Sequence, residues 1–223
     1  MGLWDLHPGY LSDRDLKAEH RAVHRLFRAI DQNQTARQSG RQRQRFEGHL
    51  GGLVWRHRLL TAEMDLRGLG HRSPLAERPG DYPGRFTTSP TEQFQQLRRR
   101  YAEHSGGRID LPKNPQTLWA QYKYSILARD PVLYQQLGPQ LAQGQLGFAA
   151  LAEALLVAFC QRPTEGGLIN AYQHMLGYFS QATKEAQPSP QNSSIESLRN
   201  TLRLRLKQEP IVYLLQSTML AEP

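Results

Sequence analysis

LSDRDLKAEHRAVHRLFRAI, residues 11–30, is the stretch that decides the fold of the amino-terminal half. Ser12 or Asp13 can cap a helix here, because short polar side chains accept hydrogen bonds from the free N–H groups of a first turn. The apolar residues that follow recur with the 3.6-residue period of a helix and fall on one side of it. These residues are Leu16, Val23, Leu26, Phe27 and Ile30. The stretch is therefore predicted to be an amphipathic helix.

Helical patterns continue along the chain, and no stretch predicts a convincing strand. A second helix is expected at 48–67 and a short one at 90–104, whereas 31–49 lacks an apolar period and is predicted to be a mobile cationic loop. Further helices are expected at 115–129, 131–142, 147–161, 166–183, 194–207 and 210–220. The prediction is an all-α protein of two helical domains, 1–112 and 113–223.

The charge of the chain is unevenly distributed. The formal net charge is +8, and residues 1–112 carry 19 Lys and Arg against 13 Asp and Glu. All of these cations except Lys17 are arginine, whose planar guanidinium binds phosphate in a two-point fashion. A polyanion is therefore a candidate partner. No apolar run reaches the length of about 18 residues that a membrane span needs, and the amino terminus lacks a signal pattern, so a cytoplasmic location is expected.

Donor groups are concentrated on the first predicted helix. At 100° per residue, His20 and His24 lie beside the apolar face, and Arg21, Arg25 and Arg28 form the next sector round. One interpretation is an ordinary solvated cationic face. Another is DNA binding through these arginines and His24, with Arg41, Arg43 and Arg45 of the following loop as a second contact.

A metal site is the third interpretation, because histidines at i and i+4 can bind one ion. It is disfavoured because Arg21 stands where a zinc protease motif has its carboxylate, and no nearby Cys or Asp pair offers a third ligand. The sequence therefore predicts neither a metal nor another cofactor.

The start of the chain offers a nucleophile. Removal of Met1 before glycine would leave Gly2 with a free α-amine of pKa near 7.7–8.0, about two to three units below that of lysine. A sizeable neutral fraction of that amine at cellular pH could attack a sugar carbon.

The motifs LWDLHPGYLS, EHR..H and RH..L..EM..RG..H.SPL, spread over about 1–75, resemble the pyrimidine-dimer DNA glycosylases of the bacteriophage endonuclease V type. The resemblance implies an all-α enzyme that acts on ultraviolet photoproducts in double-stranded DNA. Its amino-terminal amine attacks C1′ of the damaged nucleotide, the base is released, and the Schiff base permits strand cleavage by β-elimination. By position, the amine maps to Gly2 and the phosphate-binding arginines map to Arg21 and Arg25.

One position departs from the family pattern. The glutamate that stabilises the developing positive charge on the sugar is replaced by Ala22. Either Glu19, Asp5 or His20 has been recruited in its place, or the domain binds damaged DNA without cutting it. General acid–base catalysis is typically worth about 10²–10⁴ in rate, so the difference matters.

The second half, with RPTEGGLINAYQHMLGYF as its most specific motif, is similar to the YbgA-like domain of unknown function. No catalytic residue can be transferred from that family, and a protein partner is possible through this domain. The fusion that the two resemblances imply is expected in a bacterial cytoplasmic protein, associated with the nucleoid when it is bound to DNA. A basic scaffold that binds some other acidic partner is a further interpretation of the whole chain.

Overall fold

A computed structural model describes residues 3–32, 40–71, 73–84, 86–102, 106–184 and 194–223. Within these ranges the secondary structure is helical, with no strand, so the predicted all-α class is confirmed. The chain divides into two compact units, Met1–Leu111 with Ala221–Pro223 and Pro112–Leu220. We call them the amino-terminal and carboxy-terminal units. None of the described helices is long and apolar enough to cross a membrane.

The amino-terminal unit is built around one pair of helices. Helix α1 (Asp13–Asp31) packs against α3 (Leu50–Leu66), with α2 (Gly40–Phe46) and α4 (Pro90–Arg100) completing the unit. Ser12 caps α1 by accepting a hydrogen bond from the Asp15 N–H. The predicted apolar stripe is largely buried, including Leu16, Val23 and Phe27. The period and the cap therefore predicted this helix correctly.

Residues 31–49 are not the irregular loop that the sequence predicts. Residues 33–39 lie outside the described ranges, but 40–46 form α2. The helix is held by tertiary contacts rather than by an apolar period. Phe46 is fully buried and packs edge-on against Tyr82, with the two ring centroids 5.5 Å apart. The Arg45 guanidinium lies 5.2 Å from the centroid of the Phe46 ring. A single buried aromatic side chain gives no periodic signal, which explains the wrong prediction.

A segment without regular structure, 73–84, runs against the start of α3. Gly51 donates its backbone N–H to the Pro79 carbonyl at 2.9 Å. A Cβ at Gly51 would overlap the Gly80 carbonyl oxygen, and one at Gly52 would lie 2.8 Å from that of Asp81. The two glycines therefore permit the close approach that fixes this segment beside α3.

The carboxy-terminal unit is a separate helical assembly. Its helices are α5 (Pro115–Leu127), α6 (Pro131–Ala142), α7 (Phe148–Phe159), α8 (Glu165–Thr183), α9 (Ile195–Gln208) and α10 (Val212–Leu215). Helix α5 packs against α6, α7 and α8, and α9 packs on α8. Its core contains the buried rings of Tyr122, Phe159, Tyr172 and Phe179.

The last predicted helix, 210–220, is interrupted. The structure has the single turn α10 followed by a 3-10 turn at Thr218–Ala221. The buried Thr218 hydroxyl donates to the Gln121 carbonyl at 3.0 Å, and Ser217 accepts from the Met219 N–H at 3.2 Å. These side-chain hydrogen bonds compete with helical ones and end the helix.

Candidate functional site

Glu19 lies inside the amino-terminal unit, where it anchors the start of the chain. Its two carboxylate oxygens accept from Arg56 Nε at 3.0 Å and Nη2 at 2.9 Å, and Oε1 also accepts from the Trp4 N–H at 2.9 Å. Arg56 donates a further hydrogen bond to the Leu6 carbonyl. Both charged side chains are 1% exposed. Together, Glu19 and Arg56 therefore hold the segment around Trp4 and Leu6 against α1 and α3.

The charges of this pair depend on each other. Burial raises the pKa of the Glu19 carboxyl, and the charge and hydrogen bonds of Arg56 work against that rise. Burial also opposes the charge of Arg56, but the adjacent Glu19 carboxylate raises the pKa of the guanidinium overall. The arrangement is a desolvated ion pair with its acceptor atoms occupied.

Asp5, another candidate for the missing family carboxylate, is also buried and engaged. It accepts from Arg45 Nη2 at 2.6 Å, from the Tyr82 hydroxyl at 2.7 Å and from Gln93 Nε2 at 3.0 Å. The Arg45 side chain is only 5% exposed. The sequence-based assignment of Arg45 to DNA binding is therefore corrected, because this arginine is held inside the fold by Asp5.

The outer side of α1 carries three of the predicted DNA contacts. Arg21, Arg25 and Arg28 are all exposed, and none forms an ion pair with any residue that the structure describes. We call these three residues the arginine ridge. Ala22 is partly exposed and lies beside the ridge on the helical wheel, about 60° round the helix from Arg25.

Two further predicted DNA contacts, Arg41 and Arg43, lie on α2. Arg41 on α2 is exposed, and Arg43 is partly exposed and has a partner within the fold. Gly2, the predicted nucleophile, lies outside the described residues.

His20 and His24 meet a third histidine that the sequence argument did not find. His57 of α3 places its Nε2 atom 3.1 Å from His20 Nε2 and 3.1 Å from His24 Nε2. The three nitrogens lie within 4.8 Å of one another. We call these residues the histidine cluster. His71 borders it, with its ring centroid 5.5 Å from those of His20 and His57.

The environment keeps the histidine cluster uncharged. Burial lowers the pKa of His57 to about 3 and that of His20 to about 4, and the neighbouring histidines add to both shifts. The pKa of His24 is also lowered, first by burial and then by Arg28. At neutral pH each imidazole therefore retains a lone pair on one ring nitrogen.

The histidine cluster and Ala22 occupy different sides of α1. His20 and His24 are each two residues from Ala22, so at 100° per residue they lie about 160° round the helix from it. His20 therefore does not occupy the place of the missing glutamate. Its sequence-based assignment as a recruited catalytic group is not supported by this placement.

Signals for the third histidine were present in the chain. His57 and His71 both belong to the motif RH..L..EM..RG..H.SPL. Neither residue is close to His20 or His24 in sequence. His57 and His71 approach these two histidines only because α3 packs against α1, which is a tertiary contact.

Two family models match the chain. Residues 1–77 match the family described as Pyrimidine dimer DNA glycosylase, and residues 123–222 match the family described as Protein of unknown function (DUF1722). No curated protein and no solved structure matches the chain. The two matches confirm the predicted order of a dimer-glycosylase segment followed by a domain of unknown function.

Proposed function

We propose that this protein, whose first 77 residues match the pyrimidine dimer DNA glycosylase family, is a DNA-repair glycosylase and AP lyase for ultraviolet-damaged duplex DNA. The observation that carries the proposal is the arginine ridge: three exposed guanidinium groups without an ion-pair partner in the described part of the chain, on the helix that holds the amino-terminal segment.

The ridge supplies the electrostatic part of the function. Exposed guanidinium groups bind phosphate oxygens in two-point hydrogen bonds and hold a duplex in a fixed orientation. Arg21 and Arg25, which map to the family's phosphate-binding residues, lie on the exposed side of α1, and Arg28 extends the same cationic sector by one turn.

The proposed nucleophile is the α-amine of Gly2 after removal of Met1. The Gly2 amine and the Trp4 nitrogen are two residues apart in the chain. Two residues of extended chain span at most about 7 Å, so chain length alone keeps the amine within about 7 Å of the Trp4 nitrogen. The Trp4 N–H is itself hydrogen-bonded to Glu19 on α1. Glu19 therefore acts in this proposal as a positioning residue, rather than as the catalytic group named from the sequence.

The proposed chemistry begins when the amine lone pair attacks C1′ of the damaged nucleotide. The bond from C1′ to the base breaks, and the base leaves with the bonding electrons and takes up a proton. Loss of a proton from the attached nitrogen and opening of the sugar ring give the Schiff base, from which β-elimination breaks the strand.

A second candidate is a protein that binds damaged DNA without cutting it. Ala22 supports this candidate, because the family carboxylate is absent from that position. Glu19 and Asp5 support it as well, since both are buried and their oxygens are occupied by structural partners.

Borohydride trapping separates the two candidates. Borohydride reduces the C=N bond of a Schiff base to a stable amine, so the enzyme is expected to become covalently linked to irradiated duplex. A variant with one alanine inserted before Gly2 is the control, because it displaces the amine while leaving the ridge unchanged. Binding to irradiated duplex without any trapped species would assign the non-catalytic function. Equal binding to irradiated and intact duplex would overturn both proposals and favour a general polyanion scaffold.

A further inference from the structure

The contacts within the histidine cluster cannot all be hydrogen bonds. The Nε2 atom of His57 lies 3.1 Å from two other Nε2 atoms. A ring nitrogen of a neutral imidazole offers either one N–H or one lone pair, directed along one line in the ring plane. At most one of the two contacts can be a good hydrogen bond, so three ring nitrogens converge here without a set of hydrogen bonds that accounts for all of them.

The same distances fit a shared metal ion. Two nitrogens bound to one Zn²⁺ at about 2.0–2.1 Å with tetrahedral angles lie about 3.3–3.4 Å apart. Two of the three separations, at 3.1 Å, are close to that value, and the three ligand atoms all lie within 4.8 Å of one another. His20 and His24 are spaced at i and i+4, so both rings leave the same side of α1, and α3 supplies the third ring from the opposite wall.

We propose that His20, His24 and His57 form a binding site for one divalent transition-metal ion of the zinc class, coordinated through their Nε2 atoms. A set made only of imidazoles suits Zn²⁺, Co²⁺, Ni²⁺ or Cu²⁺ and not Mg²⁺ or Ca²⁺, which require oxygen ligands. Three protein ligands leave the fourth tetrahedral position for water or an added anion.

Groups around the cluster support this assignment. The Ser73 backbone lies close enough to His24 and His57 to raise the pKa of each, against the larger lowering by burial. Metal-binding histidines commonly have an outer polar partner that fixes the orientation of the ring, and the Ser73 backbone is the candidate for that role. His20 and His24 are partly exposed whereas His57 is buried, so the cluster opens to solvent on the α1 side and an ion can enter. His71 lies near enough to become a further ligand after a side-chain rotation.

Positive charge near the site limits its affinity but does not exclude it. Arg21 lowers the pKa of His20 and Arg28 that of His24, each after burial, but both arginines are exposed, so water and salt screen their repulsion of a bound ion. The three ligands themselves are uncharged, which means that the bound ion keeps its positive charge and favours an anion at the open position.

The proposed metal site is independent of the proposed lyase site. It lies about 160° round α1 from Ala22, and within the described part of the chain the side chains of its ligands form no hydrogen bond with Glu19 or Trp4. Metal binding and Schiff-base formation can therefore succeed or fail separately.

The test uses the full chain, prepared without a histidine tag, stripped with a chelator and then dialysed against ZnCl₂ or CoCl₂. We expect one metal ion per chain by elemental mass spectrometry, and visible Co²⁺ absorption bands typical of four-coordinate nitrogen ligation. His24→Gln and His57→Gln are expected to weaken binding by more than about 100-fold, since losing even an outer partner of a ligand costs about 10–100-fold. His174→Gln is the matched control, because that histidine is exposed on α8.

Two outcomes would overturn the proposal. One is wild-type protein that retains no zinc or cobalt after dialysis, and the other is His24→Gln protein that binds metal as the wild type does. His57 is buried and its replacement can impair folding, so circular dichroism accompanies every variant. His24 is partly exposed, and a folded His24→Gln protein decides the question even if the His57 variant does not fold.

Discussion

Glu19 and Arg56 are joined by two hydrogen bonds, of 2.9 and 3.0 Å, and each side chain is 1% exposed. Removing one partner of such a pair leaves the other charge buried and uncompensated, which typically costs about 3–5 kcal/mol. We therefore expect Glu19→Gln to lower the free energy of unfolding by about that amount, as measured by urea denaturation followed by circular dichroism.

The pair formed by Arg58 and Glu77 provides the control for this prediction. Its contact is 2.6 Å, but the two side chains are 45% and 65% exposed. Exposed pairs contribute about 0–1 kcal/mol, so Glu77→Gln is expected to change stability little. Equal losses in the two variants would contradict the role assigned to Glu19.

The arginine ridge is expected to contact DNA phosphates. Each phosphate contact removed should weaken binding at every salt concentration and reduce the slope of log affinity against log salt by about 0.9. Arg21→Gln and Arg25→Gln are each expected to show both effects in fluorescence anisotropy titrations with irradiated duplex. Arg58→Gln is the comparison, because this exposed arginine already has Glu77 as a partner. An unchanged salt slope in both ridge variants would place the DNA elsewhere.

Restoring the family carboxylate should reveal whether the lyase geometry is intact. We expect Ala22→Glu to raise the rate of strand cleavage on irradiated duplex by about 10²–10⁴, the typical contribution of general acid–base catalysis. Ala22→Gln has nearly the same shape without the ionisable group and should give no increase. Cleavage would be followed in single-turnover gel assays, and similar rates in the two variants would argue against a missing carboxylate as the deficit.

The carboxy-terminal unit should lose stability in alkali. Burial raises the pKa of Tyr213 to about 12, and nearby tyrosines add to the shift. The unfolded chain releases this proton near pH 10, so between about pH 10 and 12 the unfolded state binds fewer protons and the free energy of unfolding falls as pH rises. Tyr213→Phe removes the titrating group, and urea denaturation of this variant should show a smaller alkaline loss than the wild type. A steeper loss in the variant would contradict the assigned direction.

Local signals in the chain were sufficient for most of the helices, and insufficient for α2, the end of the last predicted helix and the histidine cluster. Helix α1 was predicted correctly because Ser12 and the apolar positions act within a few residues of one another. Helix α2 and the burial of Arg45 depend on Asp5 and Tyr82, which lie far away in sequence. The meeting of His57 with His24 spans 33 residues and needs the packing of α1 on α3, which no periodicity encodes.

Consecutive residues of α3 serve two unrelated purposes. Arg56 reaches the interior carboxylate of Glu19, and His57 reaches the imidazoles of His20 and His24. A one-residue insertion earlier in α3 would rotate both side chains by about 100° and separate each from its partner at once. The spacing between the start of α3 and residue 56 is thus a constraint on length as well as on composition, and natural variants of this helix should differ by replacement and not by gain or loss of a residue.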